Sequence, residues 1–363
     1  MVGPDGHLPL PWLAPVLRQT LATQRAHALL LHGPQGVGQF ELGVSLAQAW
    51  LCEAAEADIQ TDVQTAARPC GVCASCRLAQ AHSHPDLLVL LPEVLQEPLG
   101  WARADEDGAP ERAGKGKAPS KEIKVEAVRA AIEFAQITSA RGRAKVVVLH
   151  PAERINGIAA NALLKVLEEP PGSARFVLSC AAPDALLPTI RSRCQSVPMA
   201  LPPVEVAVAW LAGQGVADAA VMLAATGGQP QQALEWTTQG IDAALWLRLP
   251  ALVAQGTAAA LGGWPLARVV DALQKLCHDA ACIAAGAAPR YFPAASIRAG
   301  AQPDALAAWM RELNRVARHA EHPWNAGLMI ESLVQQGQRA LAVAVAVAGG
   351  SAPQRDSSVH SRR

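Results

Sequence analysis

The sequence carries no surplus of either charge: Lys and Arg together number 31, and so do Asp and Glu. That balance removes any global electrostatic argument for nucleic-acid or membrane binding, so such a contact must come from a local patch. No uninterrupted apolar run reaches membrane-spanning length, and the Ala/Val stretch Leu341–Ala348 is far too short. No basic N-terminal region leads into an apolar core and cleavage site, which predicts a cytosolic protein rather than a secreted one. The most informative absence is local. Leu29-Leu30-Leu31-His32-Gly33-Pro34-Gln35-Gly36-Val37-Gly38-Gln39-Phe40 reads as a buried strand, a glycine-rich turn and the start of a helix. The working phosphate-binding pattern is G-x-x-x-x-G-K-[ST]. Gly33 and Gly38 keep its frame. Gln39 stands where a lysine should reach the phosphates, and Phe40 where a hydroxyl should ligate magnesium. A neutral amide supplies no positive charge and a phenyl ring coordinates no cation.

What is present bounds the fold. A chain of 363 residues, 51% hydrophobic, suits two or three domains with sizeable cores. Ala28–His32, Asp86–Leu91, Lys145–Leu149 and Arg175–Ser179 are apolar runs of strand length, as in a parallel sheet buried on both faces. Helical patterns at Pro11–Arg25, Phe40–Leu51, Val125–Ile137 and Ile155–Glu169 alternate with them, which predicts βαβ units. The pattern collapses over 92–124, where Trp101–Lys121 is rich in Gly, Pro, Ala and mixed charge and reads as an inserted, mobile loop. Its Lys115-Gly116-Lys117 reads as solvated. Beyond Pro202-Pro203 the strands stop. Val204–Ala212, Ala217–Ala225 and Gln231–Trp236 form a short helical group, and helical patterns resume from Ala243 to Ala346. The expected organisation is an α/β domain over 1–200, a helical lid over 201–243, an all-helical domain over 244–347 and a disordered tail over 348–363.

There are 8 cysteines. Cys70-Gly71-Val72-Cys73-Ala74-Ser75-Cys76 places three thiols at two-residue gaps on a tight turn, and Cys52 lies upstream at the end of the loop helix. In a chain with no export signal this set reads as a tetrahedral zinc site, with no position left open for water. Iron–sulfur ligation ranks below zinc because nothing else suggests redox chemistry. His82 and His84 lie close enough to substitute but read as ordinary loop residues.

The strand Lys145–Leu149 ends in His150-Pro151-Ala152-Glu153. An ATPase of this layout needs an acidic pair there, one carboxylate for magnesium and one for the attacking water. His150 and Pro151 hold those positions, and Glu153 reads as an exposed helix-start residue. Asn161-Ala162-Leu163-Leu164-Lys165-Val166-Leu167-Glu168-Glu169-Pro170-Pro171 is an amphipathic helix stopped by two prolines, with Lys165 and Glu169 spaced to pair one turn apart. Arg191-Ser192-Arg193-Cys194 places two arginines at a helix end, where on residues alone they complement the helix C-terminus.

The degenerate loop at 33–40, the Cys52/Cys70/Cys73/Cys76 set, the LLKVLEEPP helix and Ser192-Arg193-Cys194 together resemble the bacterial clamp-loader subunits of the AAA+ superfamily. The resemblance is specific over roughly residues 8–240. It implies a five-stranded AAA+ sheet, a helical lid and a helical collar joining a hetero-pentameric ring with gamma/tau and delta subunits of DNA polymerase III. It implies that Arg193 projects into the ATP site of a neighbouring subunit as an arginine finger. It also implies a part in placing a sliding clamp on primed DNA, the polymerase reaction belonging to the holoenzyme. By the same positions, a polar sensor residue falls at Cys180-Ala181 and a phosphate-touching lid arginine falls near Gln231. Every group that would serve this chain's own nucleotide is replaced, and the one that would serve a neighbour's is kept. The resemblance therefore implies a structural zinc, no ATP bound by this chain and no intrinsic catalysis.

Two other readings discriminate themselves. An autonomous ATPase of the gamma/tau type needs Gln39, Phe40 and Pro151 to be tolerated together, which should cost several orders of magnitude in rate. A zinc-dependent DNA-binding module needs basic and aromatic side chains around the thiols, and Arg68 to Arg77 has few of the first and none of the second.

Overall fold

The computed structural model describes residues 1–54, 69–102, 119–298, 300–319 and 324–342. The central part of the expected insertion, with Lys115-Gly116-Lys117, and the expected tail at 348–363 lie outside the described residues.

The four apolar runs form strands β1 (Ala28–His32), β2 (Leu87–Leu90), β3 (Val146–Leu149) and β4 (Arg175–Cys180). A fifth, β5 (Gln195–Pro198), completes one five-stranded sheet in the order β2-β3-β4-β1-β5. Every pairing is parallel. The residue pattern did not announce β5. Only Val197 is buried in it, it pairs with β1 alone, and it carries Pro198, all features of an edge strand.

Side chains alternate between two cores. On one face Leu29, Leu31, Val146, Val148 and Val177 pack against α1 (Leu13–Thr23) and α2 (Gln39–Leu51). The short helices α3 (Ala74–Gln80) and α4 (Glu93–Gln96) flank the second strand in the chain. On the other face Leu30, Val147, Leu149, Phe176 and Leu178 pack against α5 (Val125–Gln136) and α6 (Gly157–Glu168). The one-turn helix α7 (Pro188–Arg191) precedes β5. The thiols at 70–76 were expected on a turn. Instead Cys73 is the N-cap of α3 and Cys76 lies inside it.

Helices α8 (Val204–Gly213), α9 (Ala219–Ala225) and α10 (Pro230–Thr238) follow, and all of this belongs to one compact unit, residues 1–242. A second unit begins at Ala243. It contains α11 (Ala243–Ala254), α12 (Leu266–Ala284), α13 (Pro303–Arg318) and α14 (Ala326–Ala340). Its core holds Trp246, Leu273, Leu276, Trp309, Leu313 and Leu333. The loop before α13 is held by a buried carboxylate on α12: Asp279 accepts the N–H groups of Arg290, Tyr291 and Phe292 at 2.9, 2.7 and 2.8 Å. No helix among the described residues is long and apolar enough to cross a membrane.

The base of the sheet rests on a second buried carboxylate. Asp86, just before β2, is fully buried and pairs with Lys145 Nζ at 3.1 Å. It also accepts the Ala140 and Arg141 N–H groups at 2.8 and 3.0 Å and the Ser139 hydroxyl at 3.0 Å. Burial pushes its pKa up, but these hydrogen bonds and Lys145 outweigh that and hold it below the ordinary carboxylate value. Removing one partner of such a pair leaves an uncompensated buried charge. Asp86→Ala is therefore expected to lower the unfolding free energy by about 3–5 kcal/mol in urea titrations; a change under about 1 kcal/mol would show that water already reaches Lys145.

Candidate functional site

The loop between β1 and α2 keeps the shape of a phosphate cradle for reasons internal to the chain. A side chain at Gly33 would meet the Met199 carbonyl oxygen at 2.2 Å, so only glycine lets β1 pass the chain leaving β5. Gly38 has φ +98°, the left-handed region that favours glycine, and it is the N-cap of α2. Inside this frame Gln39 is 5% exposed and turned back on the loop. Its Nε2 donates to the Gly33 carbonyl at 2.8 Å and the Pro34 carbonyl at 2.6 Å. Where a lysine would project a charge toward a ligand, the amide cross-links the loop to itself.

Phe40 is buried in a ring cluster. It lies 5.3 Å from the His150 ring and 6.3 Å from Trp101, whose indole stacks on His82 at 3.8 Å. The two positions that should converge on magnesium, Phe40 and His150, are thus brought together as packed rings. His150 also bonds Ser179 Oγ through Nδ1 at 2.9 Å, and burial lowers its pKa to about 4. It is a neutral imidazole at pH 7. Pro151 offers no side-chain base. Cys180 ends β4 fully buried, and burial pushes its thiol up to about 12, so it is inert.

Glu153 starts a helical turn, as the sequence predicts, but it is half-buried and not exposed. It lies in a single 3₁₀ turn, and its Oε1 accepts the Ala181 N–H at 3.0 Å beyond the end of β4. The turn brings the carboxylate back to the chain leaving β4.

The small helical group covers the same loop. Trp12 donates to the Val37 carbonyl at 2.9 Å and meets Trp210 of α8 edge-on at 5.3 Å. Trp210 in turn donates to the Pro9 carbonyl at 3.0 Å. Gln231 of α10 donates to Glu41 Oε1 at 2.5 Å. The position at which a lid arginine was expected is therefore joined to α2 by an amide–carboxylate bond.

The four thiols of Cys52, Cys70, Cys73 and Cys76 converge, all within 4.8 Å of one another. Cys70–Cys76 and Cys52–Cys73 sulfur separations are both 3.9 Å. Four thiolates about 2.3 Å from one ion in a tetrahedron sit about 3.8 Å apart, so the set fits a metal. N–H groups of Cys70, Cys73, Cys76 and Glu53 point at the sulfurs at 3.4–3.5 Å, as charged thiolates require. Burial pushes the Cys52 and Cys76 thiols up, so the set cannot ionise fully without a cation among them. His84 is not a ligand: it bonds Ser75 Oγ at 3.1 Å and accepts the Asp86 N–H at 3.0 Å. Arg141 ties the cluster to the sheet through Glu53 at 2.6 Å and Ser75 at 3.0 Å. Sequence spacing gave no sign of that bridge, whose ends are 88 residues apart.

Arg193 is separate from all of this. Its Nε donates to Glu168 Oε1 at 2.6 Å, and its NH2 group also contacts that oxygen. NH1 donates to the Thr189 carbonyl at 2.8 Å and to Ser192 Oγ at 3.3 Å. Cys194 packs against the core beside α6, which anchors the backbone under the arginine. The expected Lys165–Glu169 pair does not form among the described residues. Glu169 is the C-cap, with φ −125° and ψ 81°, so it has left the helical register. Glu168 makes the ion pair instead, 25 residues along the chain from its partner.

A family model described as DNA polymerase III, delta subunit, matches residues 12–203. The chain belongs to this family. It is 36% identical over 222 residues to the DNA polymerase III subunit delta' of Pseudomonas aeruginosa, covering 60% of this chain and 58% of that protein. It is 34% identical over 231 residues to the subunit delta' of Escherichia coli, covering 62% of this chain and 59% of that protein. The chain thus spans less than two thirds of either relative's length. Among solved structures, a DNA polymerase III gamma subunit-related protein of Thermotoga maritima superposes with a TM-score of 0.46 at 15% identity, covering 91% of this chain and all of that one. The fold of this family member is a five-stranded parallel α/β sheet followed by helices.

The neutral His150 in this family member has a measurable consequence. Its folded pKa lies below the ordinary value near 6.5, so the unfolded chain binds the proton first as pH falls. The stabilisation is full above about pH 6.5 and is lost progressively down to about pH 4. Urea titrations should show unfolding free energy falling by up to roughly 3 kcal/mol more over that window in the parent than in His150→Gln. Parallel slopes in the two proteins would mean that His150 is solvated.

Proposed function

We propose that this chain is a clamp-loader subunit of DNA polymerase III that hydrolyses no ATP itself and supplies Arg193 to the ATP site of a neighbour. The observation that carries the reading is the state of Gln39. Its amide is spent on the Gly33 and Pro34 carbonyls, leaving no positive group in the loop to receive a phosphate. Phe40 and His150 fill the magnesium position with packed rings, and Gln231 is bonded to Glu41. The same chain holds Arg193 at a helix end, part-exposed and on a rigid base. Relatives named subunit delta' and, at 32% identity over 168 residues, subunit tau of Escherichia coli support membership of that complex.

On this reading the chain sits in a hetero-pentameric ring with gamma/tau and delta subunits, joined through the helical unit that begins at Ala243. The ring opens the sliding clamp and places it on primed DNA in the cytoplasm. A guanidinium delivered in trans stabilises charge developing on the transferred phosphoryl group. The four cysteines hold a structural zinc, which leaves no open coordination position and so takes no chemical part. The unit 1–242 then comprises the AAA+ domain to about residue 200 and the lid beyond it.

One reconstitution tests both halves. The isolated chain should give no ATP-binding heat with magnesium present, and Arg193→Ala should fold normally yet slow the DNA-stimulated ATPase of the assembled loader by about 10-fold or more. Micromolar ATP affinity, or an unchanged rate, would remove the corresponding half. Chelating the metal should lower the melting temperature of the chain while leaving the second unit's unfolding in place; an unaltered transition would show that the thiols are not holding an ion.

A further inference from the structure

The way Arg193 is held points to a control on its use. A guanidinium has five N–H donors. Here Nε and NH2 are both turned to Glu168, and NH1 serves the Thr189 carbonyl and Ser192 Oγ. Little donor capacity is left for a phosphate. The charge is also cancelled, because Glu168 presents a carboxylate to the same edge of the guanidinium that an incoming anion would need.

The two holds differ in kind. Thr189 and Ser192 belong to the same turn as Arg193, and Cys194 fixes that turn against the core. Glu168 comes from another element, the last turn of α6, and its side chain is 48% exposed. It is free to rotate into water. A carboxylate at a helix C-terminus is disfavoured by the helix dipole, so Arg193 is what keeps it there. Beside an arriving triphosphate it would meet like charge and lose its reason to stay.

We propose that Glu168 is a latch on Arg193: it occupies and neutralises the guanidinium until the triphosphate of a neighbouring subunit displaces it. The proposal rests on the reading that Arg193 acts on a neighbour's nucleotide. The latch makes engagement a competition between two anions for one cation. It therefore raises the nucleotide occupancy needed before the finger is delivered, and it keeps the arginine paired in a subunit that has no neighbour. Ser192 and Thr189 are not part of the competition, since their bonds to NH1 are compatible with a phosphate on the opposite edge.

The test uses the assembled loader with its cognate gamma/tau and delta subunits and a Glu168→Gln chain, which keeps the shape and removes the charge. Half-saturating ATP for hydrolysis should fall roughly two- to fivefold, the range expected for losing one part-exposed ion pair. The double variant Glu168→Gln/Arg193→Ala should behave as Arg193→Ala alone. In the free chain, the Arg193 Nε proton should exchange with solvent faster in Glu168→Gln than in the parent, a readout independent of the ring. An unchanged half-saturation overturns the latch. So does a rise in half-saturation or a fall in maximal rate, either of which makes Glu168 a positioning residue that helps the finger. An unaltered exchange rate shows that the pair is not held in solution and overturns it as well. If Arg193→Ala leaves the ATPase unchanged, the finger assignment itself falls, and the two failures are told apart by that variant alone.

Discussion

Burial of β1, β3 and β4 on both faces is the constraint on which the rest of unit 1–242 depends. A parallel sheet cannot leave a face to water, because each strand needs a crossover helix to return the chain. The helices α1 and α2 on one side and α5 and α6 on the other are that covering. Once they are in place, the C-terminal edge of the sheet collects the loop after β1, His150 after β3 and Cys180 at the end of β4. The residues there are neighbours because of topology, whatever their chemistry.

At that edge the side chains bond and pack against other groups of the chain. An amide bonds loop carbonyls, the Phe40 and His150 rings pack together, and a glutamine bonds a glutamate across to α2. The Gln39 and Gln231 amide N–H groups and His150 Nδ1 are all hydrogen-bonded within the chain. At the other end of the sheet, Asp86, Lys145, Arg141 and Glu53 form a polar chain from β2 and β3 to the thiol cluster. The two ends differ: ring packing and amide bonds predominate above, an ion-paired chain below.

Much of this was legible in the residues. The apolar runs at 28–32, 86–91, 145–149 and 175–179 needed no partner to read as strands, and double burial keeps β1, β3 and β4 almost uniformly hydrophobic. The thiol set was legible because its spacing is local apart from Cys52. β5 was not, because an edge strand with one buried residue has no pattern to show. Glu168 was not, because nothing in a helix sequence says which of two adjacent carboxylates stays in register; the backbone turn at Glu169 decides it. Arg141 and Glu41 were missed for the same reason, since their partners lie far along the chain and only the fold brings them near.

Trp210 of α8 bonds Pro9 in the segment before α1, and Gln231 of α10 bonds Glu41 of α2, so both contacts are made by this chain's own groups. A ligand moves an equilibrium only by the difference in its affinity for the two states. If the helical group α8–α10 is a lid, as proposed, one held by its own residues presents no such difference to a nucleotide. On the proposed reading its coupling free energy to ATP is close to zero, and unit 1–242 is the fixed member of the ring against which its neighbours move.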